Sequence, residues 1–240
     1  KMEKNEFLEF MKEECEKNNI QISNEEIEKL YIYMKEILEW NEKVNVTAIK
    51  DEKEFIVKHF IDSLTIEKYI TNGEKVLDIG TGAGFPGIPI KITKNKSHVD
   101  LVDSVNKKLN VIRDIIPKIK LEDIECIHTR AEDLAKNVKY RESYDVVTSR
   151  AVANLTTLVE YMLPFVKVGG KIICMKGPNV EEELTESKKA ISILGGKIEQ
   201  IENINIDSDY ERNIIIIKKE KPTPKQYPRG QGKPLKEPIK

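Results

Sequence analysis

The residues best suited to chemistry lie in one short stretch. Gly80-Thr81-Gly82-Ala83-Gly84-Phe85-Pro86-Gly87 follows the apolar strand pattern Val76-Leu77-Asp78-Ile79. Glycines at this density let a strand turn sharply into a helix and bring the backbone close to a ligand. Pro86 suits the start of that helix, where its missing N–H costs nothing. The spacing alone also fits a dinucleotide-binding loop, so a nicotinamide or flavin cofactor stands beside S-adenosylmethionine as an occupant. Two carboxylates favour S-adenosylmethionine. Asp78, directly before the glycines, can engage the amino-acid end of that donor, directly or through water, where nicotinamide folds usually carry an apolar residue. Asp103 ends the next strand pattern about twenty residues on, where a carboxylate can accept both hydroxyls of a ribose. That contact is common to both cofactors. Ala131-Glu132-Asp133, after the third strand, falls where adenine would lie, although acidic residues also suit any first helical turn.

The acceptor side is less crowded. Ser149-Arg150-Ala151 follows the fourth strand, in place of the Asn/Asp-Pro-Pro-aromatic turn used for methylating exocyclic amines. Arg150 is the catalytic candidate: at the C-terminal end of a parallel strand its planar fork can face the ligand crevice and bind a carboxylate, a phosphate or a base edge, unless a surface salt bridge occupies it. Cys126 and Cys174 fall within strands, away from that turn, which argues against carbon-5 methylation through a thiol adduct. His59 and Asp62, one helical turn apart, face the same way. They either line the substrate side of the cleft or form a satisfied core site. Lys176, at the end of the fifth strand, reaches RNA backbone or solvent. Trp40 is expected to anchor an N-terminal helical unit rather than stack on a base. The Glu181-Glu182-Glu183 run reads as a solvated helix start.

The elements that must position these groups form an α/β pattern. Ser23 to Glu26 has capping-box spacing, and Ile27, Leu30, Tyr31, Met34, Ile37 and Leu38 then mark one helical face. A shorter helix precedes it, and another is expected over about 52–69, so residues 1–70 form a helical cap. Strands are expected at 75–79, 98–102, 124–128, 144–148 and 170–175, alternating with helices, which implies parallel βαβ units. Candidates at 197–204 and 212–218 are joined by a short turn and must pair antiparallel. Seven strands with the last antiparallel, over residues 71–220, is the layout of class I methyltransferases, whereas a dinucleotide-binding sheet normally ends parallel.

Residues 221–240 hold five prolines and read as an irregular tail. From Lys218 onward eight Lys or Arg stand against two Glu, a net +6 that leaves −7 on the first 217 residues. Such placement speaks to an anionic partner where the overall charge of −1 does not. With 240 residues, 39% hydrophobic and 34% charged, the composition is that of a soluble globular protein. There is no membrane-length apolar run and no signal-peptide pattern, and three scattered cysteines suggest neither disulfides nor a metal site. A cytoplasmic, metal-free monomer is expected.

Taken together, the chain resembles the bacterial 16S rRNA (guanine-N7) methyltransferase G family, also called glucose-inhibited division protein B. The resemblance is carried by Trp40-Asn41-Glu42-Lys43-Val44-Asn45-Val46-Thr47, His59-Phe60-Ile61-Asp62-Ser63-Leu64, the Gly80 to Gly87 loop, Ser149-Arg150-Ala151-Val152-Ala153, Lys176-Gly177 and Tyr227-Pro228-Arg229. It implies donor contacts at Gly80, Phe85, Ala131, Glu132 and Arg150, with 16S rRNA or the small ribosomal subunit as partner and a guanine of the decoding-region loop as substrate. Arg229, in the tail, joins His59, Asp62 and Lys176 as a candidate RNA contact, although Gly230-Gln231-Gly232-Lys233 departs from the family pattern. Guanine N7 has a lone pair and no proton to lose, so no strong general base is required. Three other readings stay open: a NAD-dependent oxidoreductase, a small-molecule methyltransferase and a non-catalytic ribosome-assembly factor.

Overall fold

A computed structural model describes residues 1–150 and 152–240; Ala151, within the Ser149 to Ala153 string, lies outside the described residues. The strands are β1 (Val76–Ile79), β2 (Val99–Asp103), β3 (Ile124–His128), β4 (Tyr144–Arg150), β5 (Val166–Lys176), β6 (Gly196–Asp207) and β7 (Tyr210–Lys219). They form one sheet of order β3-β2-β1-β4-β5-β7-β6, with β7 antiparallel to both neighbours. This is the expected class I methyltransferase layout. The order reverses between β1 and β4, which places the ligand crevice at the C-terminal ends of those strands.

Both faces of the central strands are covered, as parallel strands require. Val76, Val99, Leu101 and Val146 pack with the N-terminal helices on one face, while Leu77, Val102, Val147 and Cys174 meet Leu155, Leu158 and Ala190 on the other. Helices α1 (Lys4–Lys17) and α2 (Asn24–Trp40) begin the N-terminal unit. The capping box is present: Glu26 N–H donates to Ser23 Oγ at 3.2 Å and Ser23 N–H to Glu26 Oε1 at 2.8 Å. Trp40 Nε1 donates to Asp114 Oδ2 at 3.0 Å. Asp114 lies on α6 (Asn106–Lys118), which follows α5 (Gly87–Thr93). No described helix is long and apolar enough to cross a membrane.

Two expectations are corrected. The helix over 52–69 is not continuous: α3 (Glu52–Phe55) passes into a π-helical stretch, Ile56–Ile61, then α4 (Asp62–Leu64) and a 3₁₀ turn, Glu67–Tyr69. The reason is a competing hydrogen bond. Asp62 N–H reaches Val57 and His59 carbonyls, and the Lys58 carbonyl it would meet in an α-helix accepts from Arg150 at 3.0 Å instead. The C-terminal segment is not wholly irregular either. After α7 (Ala131–Leu134), α8 (Leu155–Met162) and α9 (Glu181–Ile193), it forms one helical turn, α10 (Lys233–Lys236), with Pro234 near its N-terminus.

Candidate active site

A cavity of about 660 Å³ opens at the C-terminal ends of β1 and β2, within the range of small-molecule sites. Gly80, Gly82, Asp103, Ala131 and Glu132 lie on its wall. Gly80 has φ +66°, and a Cβ there would sit 2.5 Å from Val152 Cγ2, so only glycine fits the turn. Gly82 N–H donates to Asp103 Oδ2 at 2.8 Å, while Asp103 Oδ1 accepts from Val105 N–H at 2.8 Å. Each oxygen retains a lone pair for a ligand hydroxyl. Glu132 is 5% exposed and meets no hydrogen-bond donor among the described residues. Lying on the cavity wall, the carboxylate is a free acceptor for a ligand N–H or O–H. The donor set, an acidic ribose site and a second acidic pocket floored by glycine backbone, fits an adenosyl ligand.

Four residues expected at the donor, Asp78, Gly84, Phe85 and Arg150, are not on that wall. Asp78 is fully buried and turned inward, accepting from Thr81 Oγ1 at 2.7 Å, Gly87 N–H at 2.9 Å and Thr148 Oγ1 at 3.0 Å. It braces the glycine turn against α5 and β4 and is not on the cavity wall, and burial pushes its carboxyl up to about 6. Gly84, φ +97°, passes under the Tyr33 hydroxyl, which donates to the Ala83 carbonyl. Phe85 is 2% exposed and stacks on His59 with ring centroids 4.3 Å apart, its edges met by Tyr33 and Phe55.

Arg150 ends β4 and is gripped by the N-terminal unit. Nη1 donates to the Lys58 carbonyl and to Asp62 Oδ2 at 3.1 Å, Nη2 donates to His59 Nδ1 at 3.0 Å, and the guanidinium lies 5.3 Å from the Phe85 ring centre. Because arginine only donates, His59 Nδ1 must accept, so Nε2 carries the proton toward Thr47 Oγ1 at 2.8 Å. Burial, with the adjacent Arg150 charge, lowers the His59 pKa to about 3 and keeps the ring neutral. Arg212 was not anticipated from the sequence, yet it binds Asp62 with Nε at 2.7 Å and Nη2 at 2.8 Å. Its only signal was an arginine within an isoleucine-rich final strand.

The remaining candidates are ion-paired. Lys176, 9% exposed, donates to the Ala153 carbonyl at 2.6 Å and meets Glu183 at 3.0 Å. Glu183 also accepts from Leu155 N–H at 2.8 Å, which corrects the reading of Glu181 to Glu183 as wholly solvated. Arg229 is held by Glu160 at 2.8 Å. The cavity wall further includes Tyr161 and the tail residues Gln231, Gly232, Leu235 and Lys236, none of them foreseen. Lacking periodicity, the tail offered no signal of where it docks.

Residues 26–215 match the family described as rRNA small subunit methyltransferase G. A relative of that name from Clostridium novyi is 54% identical over 213 residues, covering 87% of this chain and 88% of its own length. Another from Alkaliphilus oremlandii is 47% identical over 240 residues, covering 98% of this chain and all of its own. Among solved structures, a precorrin-6y C5,15-methyltransferase from Geobacter metallireducens aligns with a TM-score of 0.53 at 15% identity, covering 75% of this chain and 96% of that one. TrmK of M. capricolum, bound to S-adenosyl-homocysteine, aligns with a TM-score of 0.52 at 22% identity, covering 68% of this chain and 70% of that one. At these identities the two structures speak to the fold.

Proposed function

The chain belongs to the rRNA small subunit methyltransferase G family, and from that membership and the cleft geometry we propose that it methylates N7 of a guanine in the decoding-region loop of 16S rRNA. The donor is S-adenosyl-L-methionine, whose sulfonium supplies an electrophilic methyl group. The observation that carries this reading is the juxtaposition of Asp103 and Glu132 on a glycine-floored cavity at the sheet's switch point.

Within this reading Asp103 accepts from the ribose, Glu132 and Ala131 border the adenine, and the Gly80 and Gly82 backbone permits close approach. What the protein must then do is hold donor and acceptor in line at near-attack distance. On the acceptor side, Asp62 is committed to two arginines and both His59 nitrogens are engaged. The Cys174 thiol lies in the core against Met162, away from the cavity, where burial pushes it up to about 12. With no free general base or thiolate among these groups, a nucleophile with a free lone pair and no proton is the one that suits, and guanine N7 is one. Arg150 keeps its Nε without a protein partner among the described residues, so it can meet an acceptor atom of the base or the donor carboxylate.

The test is transfer of labelled methyl from S-adenosyl-L-methionine to small ribosomal subunits lacking the modification, followed by borohydride-aniline cleavage, which cuts at N7-methylguanine. Label with a single cut in the decoding loop is expected. Label without a cut would overturn N7, and no label on subunits or free rRNA would overturn the activity.

A further inference from the structure

Residues 221–240 carry the marks of a free, basic arm, yet they are bonded to the body along their length. A proline-rich segment cannot satisfy its own carbonyls, because proline lacks an N–H. Arg141 answers three of them, donating to Thr223, Pro224 and Tyr227 carbonyls at 3.1, 3.2 and 2.7 Å. Thr157 Oγ1 donates to the Pro234 carbonyl at 2.8 Å. Between these anchors stands Glu160, on α8 and fully buried. Among the described residues, the donors to its carboxylate all come from Arg229: backbone N–H at 2.8 Å, Nε at 3.1 Å and Nη2 at 2.8 Å. An apolar residue would fill that helix position at lower cost, so a buried carboxylate devoted to one distant arginine specifies where the segment lies.

What the pin places is a wall. Gln231 and Gly232, with φ +57° and +72°, turn the chain back into α10, and Gln231, Leu235 and Lys236 face the cavity that Ala131 and Glu132 also line. The neighbour of Glu160, Tyr161, lies on the same wall. Leu235 is 63% exposed and Val152 43%, an apolar rim at the cavity of the kind that covers a purine face. The Gln231 amide carries both a donor and an acceptor, the combination that pairs with an adenine edge.

We infer that the C-terminal segment is a donor-binding element: pinned by Arg229 on Glu160, it brings Gln231 and Leu235 against the adenine of S-adenosyl-L-methionine. Arg229 is then a positioning residue. This rests on the proposed donor and adds binding residues in a segment whose composition alone points to RNA.

The test is calorimetric titration of the full-length protein with S-adenosyl-L-homocysteine, alongside melting temperatures. Gln231→Ala and Leu235→Asp, both at exposed positions, are expected to raise the Kd about tenfold each, the loss of one good contact, without lowering the melting temperature. Arg229→Ala should raise the Kd and lower the melting temperature, since Glu160 is left unpaired. Adding Glu160→Leu to Arg229→Ala removes the orphaned charge, so melting should recover while affinity does not. Recovery of both would reduce Arg229 to a structural role and overturn the pin. Wild-type affinity in Gln231→Ala and Leu235→Asp would overturn the tail as a binding element. Failure of the wild type to bind S-adenosyl-L-homocysteine would instead overturn the donor assignment on which this inference stands.

Discussion

Asp62 and Glu160 are both fully buried carboxylates that tie a sequence-distant segment to the catalytic body, but their pairings differ. Asp62 has two arginines: Arg212, gripping both its oxygens from 150 positions away, and Arg150 at 3.1 Å. Glu160 has Arg229. If Arg150 turns toward a ligand, Asp62 keeps a complete bidentate partner; if Arg229 leaves, Glu160 is an uncompensated charge in the interior. The difference separates two tasks. At Asp62 the carboxylate is neutralised by Arg212 on its own, so the charge balance there does not depend on Arg150. At Glu160 the neutralisation of the carboxylate falls on Arg229, so position and stability are inseparable there until both partners are removed.

The comparison breaks most sharply at Asp62. Asp62→Ala leaves two apposed guanidiniums and should cost about 3–5 kcal/mol of stability, the usual penalty for removing one partner of a buried pair. Urea unfolding measures it, and a loss under ~1 kcal/mol would mean that Asp62 is not the anchor. A second test uses pH. His59 has a folded pKa of about 3 against 6.5 when free, so its contribution is complete above 6.5 and is lost as pH falls below it, because only the unfolded chain takes up the proton. At pH 5 that amounts to about 2 kcal/mol. Asp78 acts in the opposite sense: its pKa, raised to about 6, favours the fold below 3.8 and loses that benefit as pH rises through 6. The His59 effect is therefore read as the difference between wild type and His59→Gln in melts from pH 7 to 5, and parallel curves would remove it.

Arg150→Ala should cost less stability than Asp62→Ala, about 1–2 kcal/mol, because Arg212 still neutralises the carboxylate. Methyl transfer should fall by more than that loss accounts for. Equal proportional losses in activity and folded fraction would return Arg150 to a merely structural bridge. The smallest effect is expected at Trp40, whose indole bonds the exposed Asp114. Trp40→Phe should cost about 0.5–1 kcal/mol, the net worth of an ordinary hydrogen bond, and chemical denaturation would show whether this anchor matters more.

Much of the architecture was legible because it is local. The capping box at Ser23, the strand and helix rhythm from Val76 onward, and the short Asp207 to Tyr210 turn that makes β7 antiparallel each follow from neighbours within a few residues. Gly80, Gly82 and Asp103 could be assigned to a ligand wall for the same reason: a strand end, a turn and the next strand end are set by backbone geometry. Asp78 shows the limit. Its place before the glycines suggested a ligand contact, but whether a strand-end carboxylate points at the crevice or at Thr81, Gly87 and Thr148 depends on which pleat face it occupies and what packs there.

Sequence by itself determined the sheet, its final antiparallel strand and the glycine turn, since hydrophobic period, turn residues and caps act over one or two helical turns. Tertiary structure alone decided the partners of the long-range charges. Arg212 meets Asp62 across 150 positions, Arg229 meets Glu160 across 69, and Asp62 N–H abandons the Lys58 carbonyl so that Arg150 can take it. An arginine carries no periodicity that names its carboxylate. That choice is made by burial, which removes water as the competing partner only after the segments have come together.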